Sequence, residues 1–158
     1  MPEESATPDL VELARRQVDG YNQRDISIFV ELTTTDFELF PAVAGSIEGG
    51  GRQSRESMQR YYDMLDETWE EFRIVADEFR DLGDRVLVLG RTEGRGRGSG
   101  VPVDAPYGAI FEFRDGKMWR ARGYLDHGEA LRASPSSRQV PGSVRGDKTY
   151  GLGGLGRE

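Results

Sequence analysis

The chain has 158 residues, 36% of them hydrophobic, with a formal net charge of −7, one histidine and no cysteine. That length fits one domain able to bury a sizeable core, and the acidic balance repels nucleic acid and anionic membranes, so neither is an expected partner. Without thiols there are no disulfides, thiolate nucleophiles or thiolate metal sites, and one imidazole cannot serve a site needing two, so neither a metal nor an organic cofactor is expected. No stretch approaches the apolar length needed to cross a bilayer, and the first residues are acidic rather than basic and then apolar. The expected address is cytoplasmic.

Residues Met1 to Thr7 are polar and are expected to fray. From Pro8, apolar residues at Leu10, Leu13, Ala14, Val18 and Tyr21 recur at helical spacing. Pro8 and Asp9 suit a first turn, and the helix is expected to end around Asn22 to Arg24. Asp25 reads as the N-cap of a shorter helix carrying Ile28, Phe29 and Leu32. Phe37 to Pro41 reads as a short strand, and the glycine-rich stretch from Gly45 to Gly51 as a loop. Ser54 is a candidate cap for a third helix running to about Glu67, with Met58, Tyr61, Tyr62 and Leu65 on its buried side.

Strands follow. Glu71 to Phe79 alternates imperfectly, and Asp81 to Asp84 supplies a turn. Arg85 to Glu93 contains Val86-Leu87-Val88-Leu89, an unbroken apolar centre that implies cover on both faces. Pro102 to Arg114 places Tyr107, Ala109, Phe111 and Phe113 on one face. Asp115-Gly116 signals a hairpin into Lys117 to Leu125. A short helix from Asp126 to about Ala133 ends the domain, and from Ser134 the chain turns Ser-, Gly- and Pro-rich. The expected domain is therefore residues 8–133, with a tail over 134–158 that either stays extended or docks through Val140, Val144, Tyr150, Leu152 and Leu155. Helices followed by consecutive antiparallel strands form an α+β pattern in which the sheet must bend over the helices.

Three pieces of sequence carry a family resemblance: Gly20-Tyr21-Asn22-Gln23-Arg24-Asp25 before Asp36-Phe37; Asp77 through Val86 after the glycine-rich loop and helix; and Phe111 through Lys117, continuing over Tyr124-Leu125-Asp126 to Glu129-Ala130-Leu131. In this order they resemble the nuclear transport factor 2-like superfamily, SnoaL-like domain branch. The resemblance implies a cone-shaped, curved mixed or antiparallel sheet wrapped around three N-terminal helices, a cystatin-like α+β barrel. It also implies a small-molecule ligand in the cone and a homodimer through the outer sheet face. The superfamily includes isomerases, cyclases, hydrolases and binding domains, so fold alone assigns no reaction.

Strict alternation in the last strand puts Met118, Arg120, Arg122, Tyr124 and Asp126 on one face. Such a face either lines a polar cavity or meets solvent. In related limonene epoxide hydrolases and SnoaL-like cyclases a carboxylate at this strand end points into the pocket, which makes Asp126 the candidate catalytic acid–base residue, with Arg122 and Tyr124 orienting substrate. Asp126-His127-Gly128-Glu129 equally has capping-box spacing, and one carboxylate can serve both roles. Tyr21, Tyr61, Tyr62, Tyr107 and Trp69 are candidate pocket walls whose alternative is ordinary core packing. Arg91 and Glu93 match, with Glu for the usual Asp, an Arg–acid pair of the epoxide hydrolases; a solvated ion pair is the plainer reading. His127 is expected at an exposed helix start. The Gly94 to Gly100 run lacks the spacing of a phosphate loop and reads as a hairpin. Two functions follow: cofactor-independent acid–base catalysis on a small apolar metabolite, or a ligand-binding or dimerisation domain without turnover.

Overall fold

The computed structural model describes residues 9–42 and 51–134. The expectations for the first residues, for most of the glycine-rich loop and for the tail lie outside them. The described residues form four helices and a six-stranded sheet in the order β2-β1-β6-β5-β4-β3.

Helix α1 (Leu10–Gln23) starts where the Asp9 carboxylate accepts the Glu12 amide at 3.2 Å, and it stops at Arg24, whose φ of 55° leaves the helical region. Arg24 then acts as a three-way tie. Its guanidinium donates to the Tyr21 carbonyl at 2.7 Å, the Phe72 carbonyl at 2.8 Å and Asp66 at 3.0 Å. One residue on, the Asp25 carboxylate caps α2 (Ile26–Leu32) by accepting the amides of Ser27 and Ile28. Strand β1 (Thr33–Phe40) begins earlier than the sequence suggested, because it extends along β6. It pairs with the two-residue β2 (Gln53–Ser54) on its other side. Helix α3 (Met58–Thr68) has Ser57, not Ser54, at its N-cap, and buries Met58, Tyr61, Tyr62 and Leu65 as the spacing predicted.

Strands β3 (Trp69–Asp81), β4 (Arg85–Gly96), β5 (Pro102–Arg114) and β6 (Lys117–Tyr124) are consecutive antiparallel neighbours, and β1 joins β6 in parallel. The imperfect alternation of β3 has a structural cause. Register shifts interrupt its pairing with β4 between Glu70 and Arg73 and between Ala76 and Glu78, and bulges of this kind sharpen twist and bend a sheet. At the second, the β3 backbone comes so close that a Cβ on Gly90 would lie 2.0 Å from the Val75 carbonyl oxygen. The sheet is thus strongly curved but open, with β2 and β3 as edges, rather than closed into a barrel.

The curvature creates two cores. Helices α1, α2 and α3 cover the inner face, where Phe29, Phe37, Tyr62, Leu65, Val86, Val88, Phe111 and Met118 are buried. On the outer face, helix α4 (His127–Ala133) seals a smaller cluster of Leu87, Leu89, Ile110 and Ala130. The apolar run of β4 is covered on both faces as expected: Val86 and Val88 point in, Leu87 and Leu89 out. Gly108 lets α4 sit close, since a Cβ there would stand 2.6 Å from that of Ala130.

Candidate functional site

The inner face ends in a tyrosine cluster. Tyr21 lies on the apolar stripe of α1, Tyr61 on that of α3 and Tyr107 on the inward-facing row of β5 with Ala109, Phe111 and Phe113. All three border one small cavity of about 30 Å³, closed by Leu39, Pro41, Ala42, Phe72, Thr92 and Gly123. Tyr21, Leu39 and Tyr107 also border a second cavity of about 30 Å³, deeper in the cone, whose other walls include Gln17, Phe29, Phe37, Met58, Phe111 and Met118. The two spaces thus share a wall of two tyrosines and a leucine, and this pair of neighbouring cavities is the candidate chamber. As found, each half has room for little more than a water molecule.

The chamber's electrostatics follow from the burial of its tyrosines. The Tyr21 and Tyr61 hydroxyls are hydrogen-bonded, and burial is the main reason the Tyr21 phenol is held well above its ordinary pKa, with Tyr61 and Tyr107 adding to it. Burial likewise pushes Tyr61 up to about 12, against the opposing pull of its Tyr21 hydrogen bond and the Arg24 charge. Tyr107 is raised by burial and then by Tyr61. At neutral pH these phenols stay protonated, which suits them to donate hydrogen bonds to a ligand oxygen and not to abstract protons. No carboxylate or imidazole borders either cavity among the described residues. Nor do three His, Asp or Glu side chains among them cluster as a metal would require. A larger depression of about 610 Å³ on the solvent side is lined by Glu70, Arg73, Glu93 and Asp104 among others. It is open to water, and Arg73 and Glu93 within it already pair at 3.3 Å.

The structure brings together Tyr21, Tyr61 and Tyr107 and separates them from the other sequence candidates. Asp126 is exposed, and its carboxylate accepts the Gly128 amide at 2.8 Å as the N-cap of α4. It borders neither half of the chamber. Arg122 and Tyr124 are on the outer face and border neither cavity. The Arg122 guanidinium lies 4.1 Å from the Phe40 ring, and Tyr124 packs beside the cluster under α4. The reason is a bulge: Phe113 pairs with Met118 but Glu112 with Arg120, so Trp119 is an extra residue and the alternation changes phase. Met118 and Ala121 consequently point inward, and Arg120 turns outward to pair with Glu112 at 2.8 Å.

Trp69 stacks on Phe72 at 5.5 Å against the core and does not border the cavities, while its Nε1 is buried without a protein partner. The Tyr62 hydroxyl is also buried without a protein partner, and burial raises its pKa strongly. Arg91 and Glu93 form an outer-face ion pair at 2.9 Å, with Arg73, Asp77 and Asp104 around it. His127 is half-buried: its Nε2 lies 2.7 Å from the Gly90 carbonyl, which can only accept, so Nε2 carries the proton and ties α4 to β4. Sequence reasoning missed Gln17, Leu39, Phe72 and Thr92 as chamber walls. Gln17 had a signal, being a polar residue on the apolar stripe between Ala14 and Tyr21.

Comparison with known proteins agrees with this architecture. The sequence profile of the SnoaL-like domain family matches residues 14–121. Among solved structures, an NTF2-like protein of unknown function from Burkholderia pseudomallei is 20% identical, with a TM-score of 0.65 over 77% of this chain and 93% of that one. TerC, co-crystallised with polyporic acid, is 22% identical, with a TM-score of 0.64 over 77% of this chain and 95% of that one. A candidate SnoaL-like polyketide cyclase from a Jannaschia species is also 22% identical, with a TM-score of 0.62 over 80% and 92%. A comparison with curated proteins finds no match. With the family profile running from α1 into β6 and an NTF2-like arrangement of helices on a curved sheet, this chain belongs to the SnoaL-like domain family.

Proposed function

We propose that this protein binds a small, largely apolar, oxygen-bearing molecule inside the cone, with the Tyr21–Tyr61–Tyr107 cluster as its polar recognition point. The observation that carries the reading is the convergence of three protonated phenols from α1, α3 and β5 on a largely apolar chamber that no charged side chain borders. Pockets of this character, apolar with a few placed polar groups, are the usual form of a small-molecule site, though they commonly reach about 300 Å³ or more. Ligand entry therefore requires the septum of Leu39, Tyr21 and Tyr107 to move and merge the two halves. Mass spectrometry of co-purified small molecules, followed by titration of the identified compound, tests this. Tyr61→Phe and Tyr107→Phe each weaken binding about tenfold if the phenols hold the ligand, since a hydrogen bond of about 1.4 kcal/mol is worth that factor. Unaltered affinity in both variants rejects the reading.

Turnover is the second reading, favoured by the likeness to a candidate polyketide cyclase. In it Asp126 would act as the base, with Arg122 and Tyr124 assisting, and the phenols would stabilise developing negative charge. The exposed, cap-bonded carboxylate of Asp126 weighs for binding over turnover. Asp126→Asn keeps a capping oxygen and removes the base, so a loss of turnover in that variant would favour catalysis.

A homodimer through the outer sheet face is proposed as well. It is supported by the exposed Leu125 and Leu131 beside and on α4, at 43% and 39%. Light scattering of the wild type and of Leu131→Glu tests it: a dimer that the substitution dissociates supports the interface, and a wild-type monomer removes it.

A further inference from the structure

We infer that Gln17 sets the ligand specificity of the chamber's deep half by accepting a hydrogen bond from a hydroxyl or N–H group on an otherwise apolar ligand. The inference rests on the interior-chamber reading and adds a second recognition point, an acceptor, in the cavity that Tyr21 and Tyr107 also border. Gln17 is 6% exposed, on the stripe of α1 that otherwise carries Ala14, Val18 and Tyr21. It borders the deep cavity among Phe29, Phe37, Met58, Phe111 and Met118, and its Oε1 is buried with no protein partner. A buried carbonyl left in that condition destabilises the fold. An apolar side chain of similar size would fill the position at less cost, so stability alone does not account for an amide here. A ligand donor is the partner that would satisfy it. Two flexible methionines in the same wall, Met58 and Met118, can yield to admit the ligand.

The ligand class follows. Its apolar body lies along the chamber, its acceptor oxygen meets the phenols and its donor sits near Gln17. A body carrying only acceptors would leave the Gln17 carbonyl unpaired, and discrimination against such analogues is the signature of a buried polar partner.

Calorimetric or NMR titration with 2-naphthol and its near-isostere 2-methylnaphthalene, on wild type, Gln17→Met and Gln17→Leu, tests the proposal. The ratio of the two affinities in wild type, compared with that in each variant, cancels the hydrophobic difference between the probes and any hydroxyl contact with the tyrosines. We expect the preference for 2-naphthol to fall about tenfold in both variants, the value of one hydrogen bond, with 2-methylnaphthalene binding as well or better. Two variants guard against one failing to fold, which thermal unfolding reports. If both probes bind and the preference is unchanged in the folded variants, the Gln17 inference is overturned while the chamber reading stands. If neither probe binds wild type, both fall.

Discussion

The two faces of the sheet solve opposite problems with the same strands. On the inner face, β4 and β5 present Val86, Val88, Ala109 and Phe111 to three helices, and what polarity remains is neutral: phenols, Thr92 and one amide. On the outer face, the same strands present Leu87, Leu89 and Ile110 under α4. Beyond its cover lie Arg91, Glu93, Arg120 and Glu112, whose charges are paired at or near the surface. The inner face can desolvate a ligand; the outer face keeps its ions in contact with water, where they are screened. This division explains why a polar stripe on the last strand, the most prominent chemical signal in the sequence, does not mark the chamber.

The comparison breaks most severely at Gly90. A Cβ there would meet the β3 backbone at 2.0 Å, and backbone cannot swing aside as a side chain can. Gly90→Ala should therefore cost about 3 kcal/mol or more in urea-induced unfolding. A loss under about 1 kcal/mol would mean the β3 bend is not required to form the inner face.

Next in size is the alkaline response. Tyr61 titrates at about 12 in the fold against 10.0 for a free phenol, so the folded state holds its proton more tightly. The stability from this shift is fully present below pH 10 and is lost as the pH rises through about 12. The shift amounts to roughly 2–3 kcal/mol, with Tyr21 and Tyr107 acting in the same direction. Urea midpoints should hold to about pH 10 and fall steeply above it, and Tyr61→Phe should flatten the fall. Equal slopes in wild type and variant would contradict a dry inner face.

A smaller effect separates cap from site. Asp126→Ala should cost about 1 kcal/mol, with Asp126→Asn keeping nearly all of the wild-type stability. Neither should alter ligand affinity, because Asp126 borders no part of the chamber. A change in affinity in the Asn variant, measured by the same titration, would join the two faces into one site.

Smallest is the outer ion cluster. Glu93 is held below the usual carboxylate range by hydrogen bonds from Arg91 and then Arg73, so what it contributes is lost as the pH falls below the glutamate range. At neutral pH, Glu93→Gln should move the Tm by no more than about 2 °C, and less in 1 M salt, as exposed pairs do. A larger, salt-insensitive change would show that the outer face is drier than its exposure indicates.

Much of this fold was legible because its signals are local. The Asp25 and Asp126 caps, the Asp115–Gly116 turn, and the stripes Leu10 to Tyr21 and Met58 to Leu65 each depend on residues within a few positions. Tyr21, Tyr61 and Tyr107 were legible as wall candidates by the same periodicity. The phase of β6 was not, because one extra residue at Trp119, visible only in the pairing with β5, reverses which side chains face the core.

The sequence by itself determined the order of the helices and of every strand but the two-residue β2, the apolar stripes, and the composition that leaves no thiol and one imidazole. Only the tertiary structure decided which stripe faces which layer: Arg122 and Tyr124 outward, Met118 inward, Gln17 Oε1 without a protein partner at the chamber wall and the Asp126 carboxylate on the Gly128 amide. The physical reason is range. Caps and periodicity act between neighbours, whereas bulges, burial and the loss of a hydrogen-bond partner exist only once distant strands and helices meet.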